Sequence, residues 1–346
     1  METITENKTV PPKLTAKDFT SNQEVKWCPG CGDYSILKQV QTVLPNFVTE
    51  KEKVVFVSGI GCSSRFPYYM DTYGLHSIHG RATAIATGVK AANPELTVWV
   101  VAGDGDLMSI GGNHLIHMLR RNPNIKMMMF NNEIYGLTKG QYSPTSQKGI
   151  VTKSTPFGSV DEPFNPAELA LGAKSTFFAR TLDRDPKHMQ AIIYRANAHH
   201  GTAFVEVYQN CPVFNDDVFA AFTEKETKRE ECLWLENGKP LVFGDTGNKG
   251  IKLDGLKPVV VELENGVSAN DLWIHDETDK VKANILAQFA DHIGEDHKPR
   301  PFGVFYTENR SCIEEDMTAQ IEHAAAKKGR VPLNKILSGE KTWVIA

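Results

Sequence analysis

Between residues 54 and 207 short apolar, β-branched runs alternate with stretches of helical period, and that alternation leaves few folds open. VVFVS (54–58), TVWVVA (97–102), IKMMMF (125–130), TFFA (176–179) and AFVEV (203–207) read as buried strands. Residues 81–92, 109–121, 166–172 and 186–198 read as the helices between them, with Leu115, Met118 and Leu119 on one face of the second. Strands separated by helices cross over right-handedly and pair in parallel. The expected fold is therefore α/β, a doubly wound, mostly parallel sheet. Ligands of such sheets bind beyond the carboxyl ends of the strands, and the unusual residues of this chain collect there.

In the segment GDGDLMSIGGNHLIHMLRRNPNIKMMMFNN (103–132), Asp104 follows one strand and Asn132 the next. The helix between them returns the chain, so both side chains emerge at one edge of the sheet. A carboxylate, an amide oxygen and a nearby backbone carbonyl are hard ligands suited to Mg2+, which completes its octahedron with phosphate oxygens and water. Gly103 and Gly105 allow close backbone approach, and a helix starting near Ser109 would present amide donors and a positive dipole end. A lone Gly-Asp-Gly is a common turn. Placed strand–turn–helix–strand ahead of Asn-Asn, it is similar to the thiamine diphosphate signature, and that resemblance implies Asp104, Asn132 and the carbonyl of Ile134 as Mg2+ ligands.

Six cysteines are too few and too irregular for a disulfide scaffold, so the clustered ones point to metal or redox chemistry. Cys28 and Cys31 lie in WCPGCGD, Cys62 in GIGCSSR and Cys211 in QNCPVFN, mostly at expected loops or strand ends. Four thiolates suit either structural zinc or a [4Fe–4S] cluster. Spacing alone leaves both open; the two Cys-Pro pairs lean towards iron–sulfur, because proline has no backbone N–H to donate. Cys232 and Cys312 fall outside this grouping and read as inert thiols.

Taken in order, WCPGCGDYSIL, VSGIGCSSRFPYY, HSIHGRATAIATG, the GDG segment, NNEIYGLTKGQYSPTS and the Cys211 segment resemble the β subunits of 2-oxoacid:ferredoxin oxidoreductases over residues 23–219. GIGCSSRFPYY and YGLTKGQYSPTS are most similar to the 2-oxoglutarate type. The resemblance implies a thiamine-diphosphate-binding sheet and a reversible, coenzyme A-dependent oxidative decarboxylation of 2-oxoglutarate to succinyl-CoA, with single electrons passed to ferredoxin. Pyruvate or another 2-oxoacid is the alternative substrate. Without the cysteine argument, an iron–sulfur-free thiamine subunit or a zinc-stiffened binding module would remain.

By the same resemblance Cys28, Cys31, Cys62 and Cys211 hold one [4Fe–4S] cluster. Ile60, Gly61, Cys62, Ser63, His79, Gly105, Asp106, Gly136 and Leu137 contact thiamine diphosphate. Arg65 stands where the family keeps a basic side chain near the substrate, and a guanidinium can grip a carboxylate with paired hydrogen bonds. The carboxylate that activates the cofactor lies on a separate α subunit, so no general acid or base is assigned here. An α2β2 assembly is implied, and the chain alone should be inactive. There is no ferredoxin-type CxxCxxCxxxCP run, so no further cluster is expected.

The expected organisation is an N-terminal arm over 1–22, broken by Pro11 and Pro12, a cofactor-binding domain over 23–235, and a C-terminal extension over 236–346 with a helix near 283–292. The polar N-terminus lacks the apolar core of a signal peptide, and the apolar runs are too short to span a bilayer. A cytoplasmic location without membrane contact is the default. A formal net charge of -4 with no basic stripe gives no nucleic-acid footprint.

Overall fold

The protein is described by a computed structural model over residues 13–263, 268, 271–290, 298–329, 331–339 and 342–343. Its main sheet uses β1 (Val54–Ser58), β2 (Tyr73–His76), β3 (Thr97–Gly103), β4 (Ile125–Asn131), β5 (Phe177–Leu182), β6 (Ala203–Tyr208) and β7 (Cys232–Leu235). Strands β8 (Val242–Phe243), β9 (Lys249–Asp254) and β10 (Lys257–Glu262) form a small antiparallel sheet, and β11 (Arg300–Thr307) returns to the main one. The order of the eight-stranded sheet is β2-β1-β3-β4-β6-β5-β11-β7. All pairs are parallel except β11 with β5.

Strands β1, β4, β5 and β6 are buried at every residue, as expected for a sheet covered on both faces. Successive side chains alternate between two cores. Val55, Val57, Val98, Val100, Met127 and Met129 face one, while Val54, Phe56, Trp99, Val101, Met128 and Phe130 face the other. Helices α1 (Asp33–Val43), α2 (Ala82–Ala92), α3 (Asp104–Met108), α4 (Gly112–Arg121), α5 (Pro166–Gly172) and α6 (Pro186–Ala198) supply the layers. Residues of α2, α4 and α5 pack into the first core, those of α1 and α6 into the second. Proline at the first turn and a capping side chain start α5 and α6: Asn165 Oδ1 accepts from Ala167 N at 3.1 Å, and Asp185 Oδ1 from His188 N at 3.1 Å.

The structure departs from the sequence reading in several places. Helix α1 and strand β2 were not anticipated. The helix expected over 109–121 begins at Gly112, as α4, and a separate short helix, α3, precedes it, so helical backbone begins at Asp104 itself and not near Ser109. The strand expected over 176–179 runs over Phe177–Leu182. The segment after 236, expected as a C-terminal extension, supplies β11, which inserts between β5 and β7 and carries Val304 and Phe305 into the two cores. The helix expected near 283–292 spans Lys280–Ala287; positions 291–292, like residues 1–12 of the expected arm, lie outside the described residues. Among the described residues no helix is long and apolar enough to cross a membrane.

Candidate functional site

The loops after β1, β3, β4 and β6 meet beyond the carboxyl edge of the sheet. After β1 the chain turns through Gly61 at φ 136°, a region L side chains rarely adopt. After β3 it enters α3 at once, and a Cβ on Gly105 would stand 2.2 Å from the Tyr135 ring, so only glycine fits. A cleft between these loops is lined by Ile60, Gly61, Cys62 and Ser63 on one side and by Asp104, Gly105 and Asp106 below. His79, Asn132, Ile134, Gly136 and Leu137 complete the lining. The structure thus brings the residues named for thiamine diphosphate and Mg2+ into one cleft.

Asp104 is buried, and burial pushes its carboxyl up; hydrogen bonds from Ser143 and Thr145 hold it back. Ser143 Oγ donates to Asp104 Oδ2 at 2.5 Å and Thr145 Oγ1 at 2.6 Å. The network continues inward. Thr145 Oγ1 lies 2.9 Å from Asn131 Oδ1, Asn131 Nδ2 donates to Glu206 Oε1 at 2.8 Å, and Arg180 Nε donates to Glu206 Oε2 at 2.7 Å. Asp106 braces the cleft walls: its Oδ1 accepts from Ile60 N at 3.0 Å and Gly80 N at 2.8 Å, and pairs with His79 Nδ1 at 2.5 Å. Tyr135 OH donates to the Gly105 carbonyl at 3.0 Å.

A second pocket adjoins the first and is lined by Cys28, Cys31, Cys62 and Cys211 together. Cys31 N donates to Cys28 O at 3.1 Å in a tight turn ahead of α1, and Trp27 Nε1 donates to Cys62 O at 2.7 Å, tying the two segments. A Cβ on Gly136 would lie 3.5 Å from Cys211 Sγ and 3.8 Å from Cys62 Sγ. Burial pushes the Cys62 thiol up to about 12 and raises those of Cys31 and Cys211 as well. The protein alone therefore disfavours thiolates here. Among the described residues no three of these sulfurs lie within 4.8 Å of one another. Asp33, at the start of α1, is buried beside them with its carboxyl pushed by burial up to about 7.

The two pockets share Cys62, Asn132, Gly136, Leu137 and Gln209. Arg65 belongs to the sulfur pocket and not to the first cleft; its Nη1 reaches Lys26 O at 3.5 Å and its guanidinium lies 6.0 Å from the centre of the Tyr69 ring. Cys232 and Cys312 are buried elsewhere, Cys312 capping the helix Ile313–Lys328. Sequence reasoning gave no role to Ser143, Thr145, Tyr135 or Gln209. The hydroxyl-rich YSPTS stretch was the available signal for the first two, and the position of Gln209 at a strand end two residues before Cys211 was the signal for the last.

Residues 59–207 match the model of the thiamine pyrophosphate enzyme C-terminal TPP binding domain. The 2-oxoglutarate oxidoreductase subunit KorB of Mycobacterium tuberculosis is 48% identical over 99% of this chain and 92% of its own length. The 2-oxoacid:ferredoxin oxidoreductase 2 subunit beta of Aeropyrum pernix is 42% identical over 58% of this chain and 64% of that protein. Among solved structures, a 2-oxoglutarate:ferredoxin oxidoreductase from Magnetococcus marinus with 2-oxoglutarate, coenzyme A and succinyl-CoA bound matches with a TM-score of 0.75. That match has 32% identity and covers 95% of this chain and 97% of the other. On fold, site and these matches, the chain belongs to the family of β subunits of 2-oxoacid:ferredoxin oxidoreductases.

Proposed function

We propose that the chain is the β subunit of a 2-oxoglutarate:ferredoxin oxidoreductase. The enzyme converts 2-oxoglutarate, coenzyme A and two oxidised ferredoxins to succinyl-CoA, CO2, a proton and two reduced ferredoxins, reversibly. The observation that carries this reading is the common wall of Cys62, Asn132, Gly136, Leu137 and Gln209 between a carboxylate-and-amide cleft and a four-sulfur pocket. When bound, thiamine diphosphate supplies the electron sink for decarboxylation, Mg2+ neutralises its diphosphate, and a [4Fe–4S] cluster accepts electrons singly.

The chain's own residues bind and orient. Asp104 and Asn132, with the Ile134 carbonyl, offer the oxygen ligands for Mg2+, and Ser143 and Thr145 donate to Asp104 and hold it in place. Asp106 fixes the Ile60 and Gly80 turns so that their backbones meet the cofactor at set positions. Cys28, Cys31, Cys62 and Cys211 hold the cluster. Their sequence contexts, with Cys28 and Cys211 each followed by proline, lean towards that assignment over zinc. Arg65, on the rim of the sulfur pocket, is the cation available to a substrate carboxylate. The α subunit contributes the remaining catalytic groups in an α2β2 complex that works in the cytoplasm.

The test is anaerobic co-production with the α subunit, followed by metal analysis, an absorption spectrum and assays of 2-oxoglutarate against pyruvate. About four irons per β chain and coenzyme A-dependent reduction of ferredoxin by 2-oxoglutarate are expected. Stoichiometric zinc without iron would overturn the electron-transfer role, and preference for pyruvate would overturn the substrate.

A further inference from the structure

Gln209 is 1% exposed and belongs to both pockets. It follows β6 directly and lies opposite Asn132, because β4 and β6 are parallel with Asn131 in register with Tyr208. Its own N–H donates to Asn131 O at 2.9 Å, fixing the backbone. The side-chain amide then spans the two sites. Nε2 donates to Cys31 Sγ at 3.3 Å and also to Asn210 O, while Oε1 accepts from Asn132 Nδ2 at 2.7 Å. One planar group thus touches both a sulfur of the second pocket and the amide of a metal-ligand candidate in the first.

The polarity of this contact is not free. A carbonyl oxygen and a metal-bound sulfur carry no proton and can only accept. The NH2 end of Gln209 must face them, so its oxygen must face Asn132. Asn132 must then offer its own NH2, which turns Oδ1 to the other side, 3.2 Å from Ile134 N at the turn that carries the third oxygen ligand. The Asn210 carbonyl fixes that orientation by itself, and a metal-bound sulfur at Cys31, which can only accept, agrees with it.

We infer that Gln209 is a positioning residue that couples the two centres, aiming Asn132 Oδ1 at the cation and transmitting the charge on the Cys31 sulfur to it. The inference rests on the cofactor assignments proposed above. An added electron makes the sulfur a stronger acceptor, and hydrogen bonds in a chain polarise one another. Gln209 Oε1 then accepts more strongly from Asn132, whose Oδ1 becomes the better cation ligand. The reduced state therefore holds Mg2+ and thiamine diphosphate more tightly. Because linkage is reciprocal, cofactor binding raises the midpoint potential of the cluster.

The test uses the complete α/β complex, wild type, Gln209→Met and Gln209→Glu. Met keeps the length without hydrogen bonds; Glu keeps an acceptor for Asn132 and loses the donor to sulfur. The cluster midpoint is measured by EPR-monitored titration with and without Mg2+ and thiamine diphosphate, and the Kd of thiamine diphosphate by calorimetry on oxidised and dithionite-reduced protein. In the wild type the midpoint rises on cofactor binding and the Kd falls on reduction. In Gln209→Met that linkage disappears, the midpoint drops, and the Kd weakens about 10–100-fold, as for other groups that orient metal ligands. Gln209→Glu lowers the midpoint further while weakening the Kd less. A purely structural role would lower the melting temperature and leave the linkage intact. Wild-type linkage preserved in Gln209→Met overturns the inference, as does the absence of any linkage in an iron-replete wild type. A wild type that binds no cluster instead overturns the functional reading beneath it.

Discussion

The Thr145 hydroxyl stands 2.6 Å from Asp104 Oδ2, in a pocket where that carboxyl is otherwise buried. A hydrogen bond to the charged form is what offsets the desolvation of Asp104. Thr145→Val keeps the shape and removes the donor. Thiamine diphosphate and Mg2+ should then bind roughly 10–100-fold more weakly, with the apparent affinity recovering as pH rises, because a less supported carboxyl ionises later. A titration of cofactor against variant and wild type at two pH values checks both parts, and unchanged affinity would remove Thr145 from the site.

The cysteines divide by location. Cys28, Cys31, Cys62 and Cys211 line one pocket, whereas Cys232 and Cys312 are buried apart from it. Serine at any of the first four should lose most of the iron and the visible absorption. Serine at Cys232 or Cys312 should keep both. Iron and sulfide analysis of anaerobically prepared complexes decides, and full iron retention in Cys211→Ser would break the four-ligand set.

Arg65 approaches from the sulfur side. If its guanidinium grips the distal carboxylate of a dicarboxylic 2-oxoacid, Arg65→Gln should raise the KM for 2-oxoglutarate tenfold or more, the loss of a charge-assisted pair worth about 1.5–3 kcal/mol. The rate with pyruvate, which has no distal carboxylate, should change far less. An equal effect on both substrates would assign Arg65 to the cluster's surroundings.

Much of this was legible from the sequence, for physical reasons. Parallel strands buried on both faces are continuous apolar runs, so β1, β3, β4 and β6 announced themselves, and Ile60, Gly61, Cys62, Asp104, Gly105, Asp106, Asn132, Ile134 and Cys211 fall one to four positions after their ends. Strand β2 did not, since YGLH is exposed along its length and has no apolar run. Helix α4 begins only at Gly112 because the chain leaves helical geometry at Ser109, at ψ -106°, after α3. β11 was hidden for a different reason: its place depends on pairing with β5 and β7, which no local pattern encodes. Gln209 and Thr145 are ordinary polar residues until the fold sets Cys31, Asn132 and Asp104 beside them.

His188 gives a pH signature of the packing at the α6 end. It lies against the Trp234 ring at 4.8 Å, its Nδ1 is 2.8 Å from Thr181 Oγ1, and burial lowers its pKa to about 4 despite the opposing pull of Asp185. A base held neutral in the folded state contributes stability that is present above its unfolded value near 6.5 and lost as pH falls through about 4. The difference in unfolding free energy between wild type and His188→Gln should be flat above pH ~6.5 and shift against the wild type by at most about 3 kcal/mol towards pH ~4. Denaturant melts across that window measure it; a constant difference would mean that His188 titrates normally.

Strand β11 is joined to the Asp104 cleft through a run of buried side chains. Phe305 of β11 is fully buried, meets Phe178 edge-on at 5.2 Å, and lies 5.1 Å from the Arg180 guanidinium. Arg180 is paired with Glu206, Glu206 holds Asn131, and Asn131 adjoins the Thr145 hydroxyl that supports Asp104. Removing the ring should act at two levels. Phe305→Ala should cost about 3–5 kcal/mol of stability through the cavity it leaves. Because it also loosens the Arg180–Glu206 pair, cofactor affinity should fall in the folded population too. Phe305→Leu, which fills most of the volume without an aromatic face for the guanidinium, separates the two effects. Thermal melts should show it near wild type in stability while thiamine diphosphate titration still shows weakened binding. If Phe305→Leu binds cofactor as the wild type does, β11 serves the core alone, and the chain from Arg180 to Asp104 is held by its hydrogen bonds without help from the C-terminal segment.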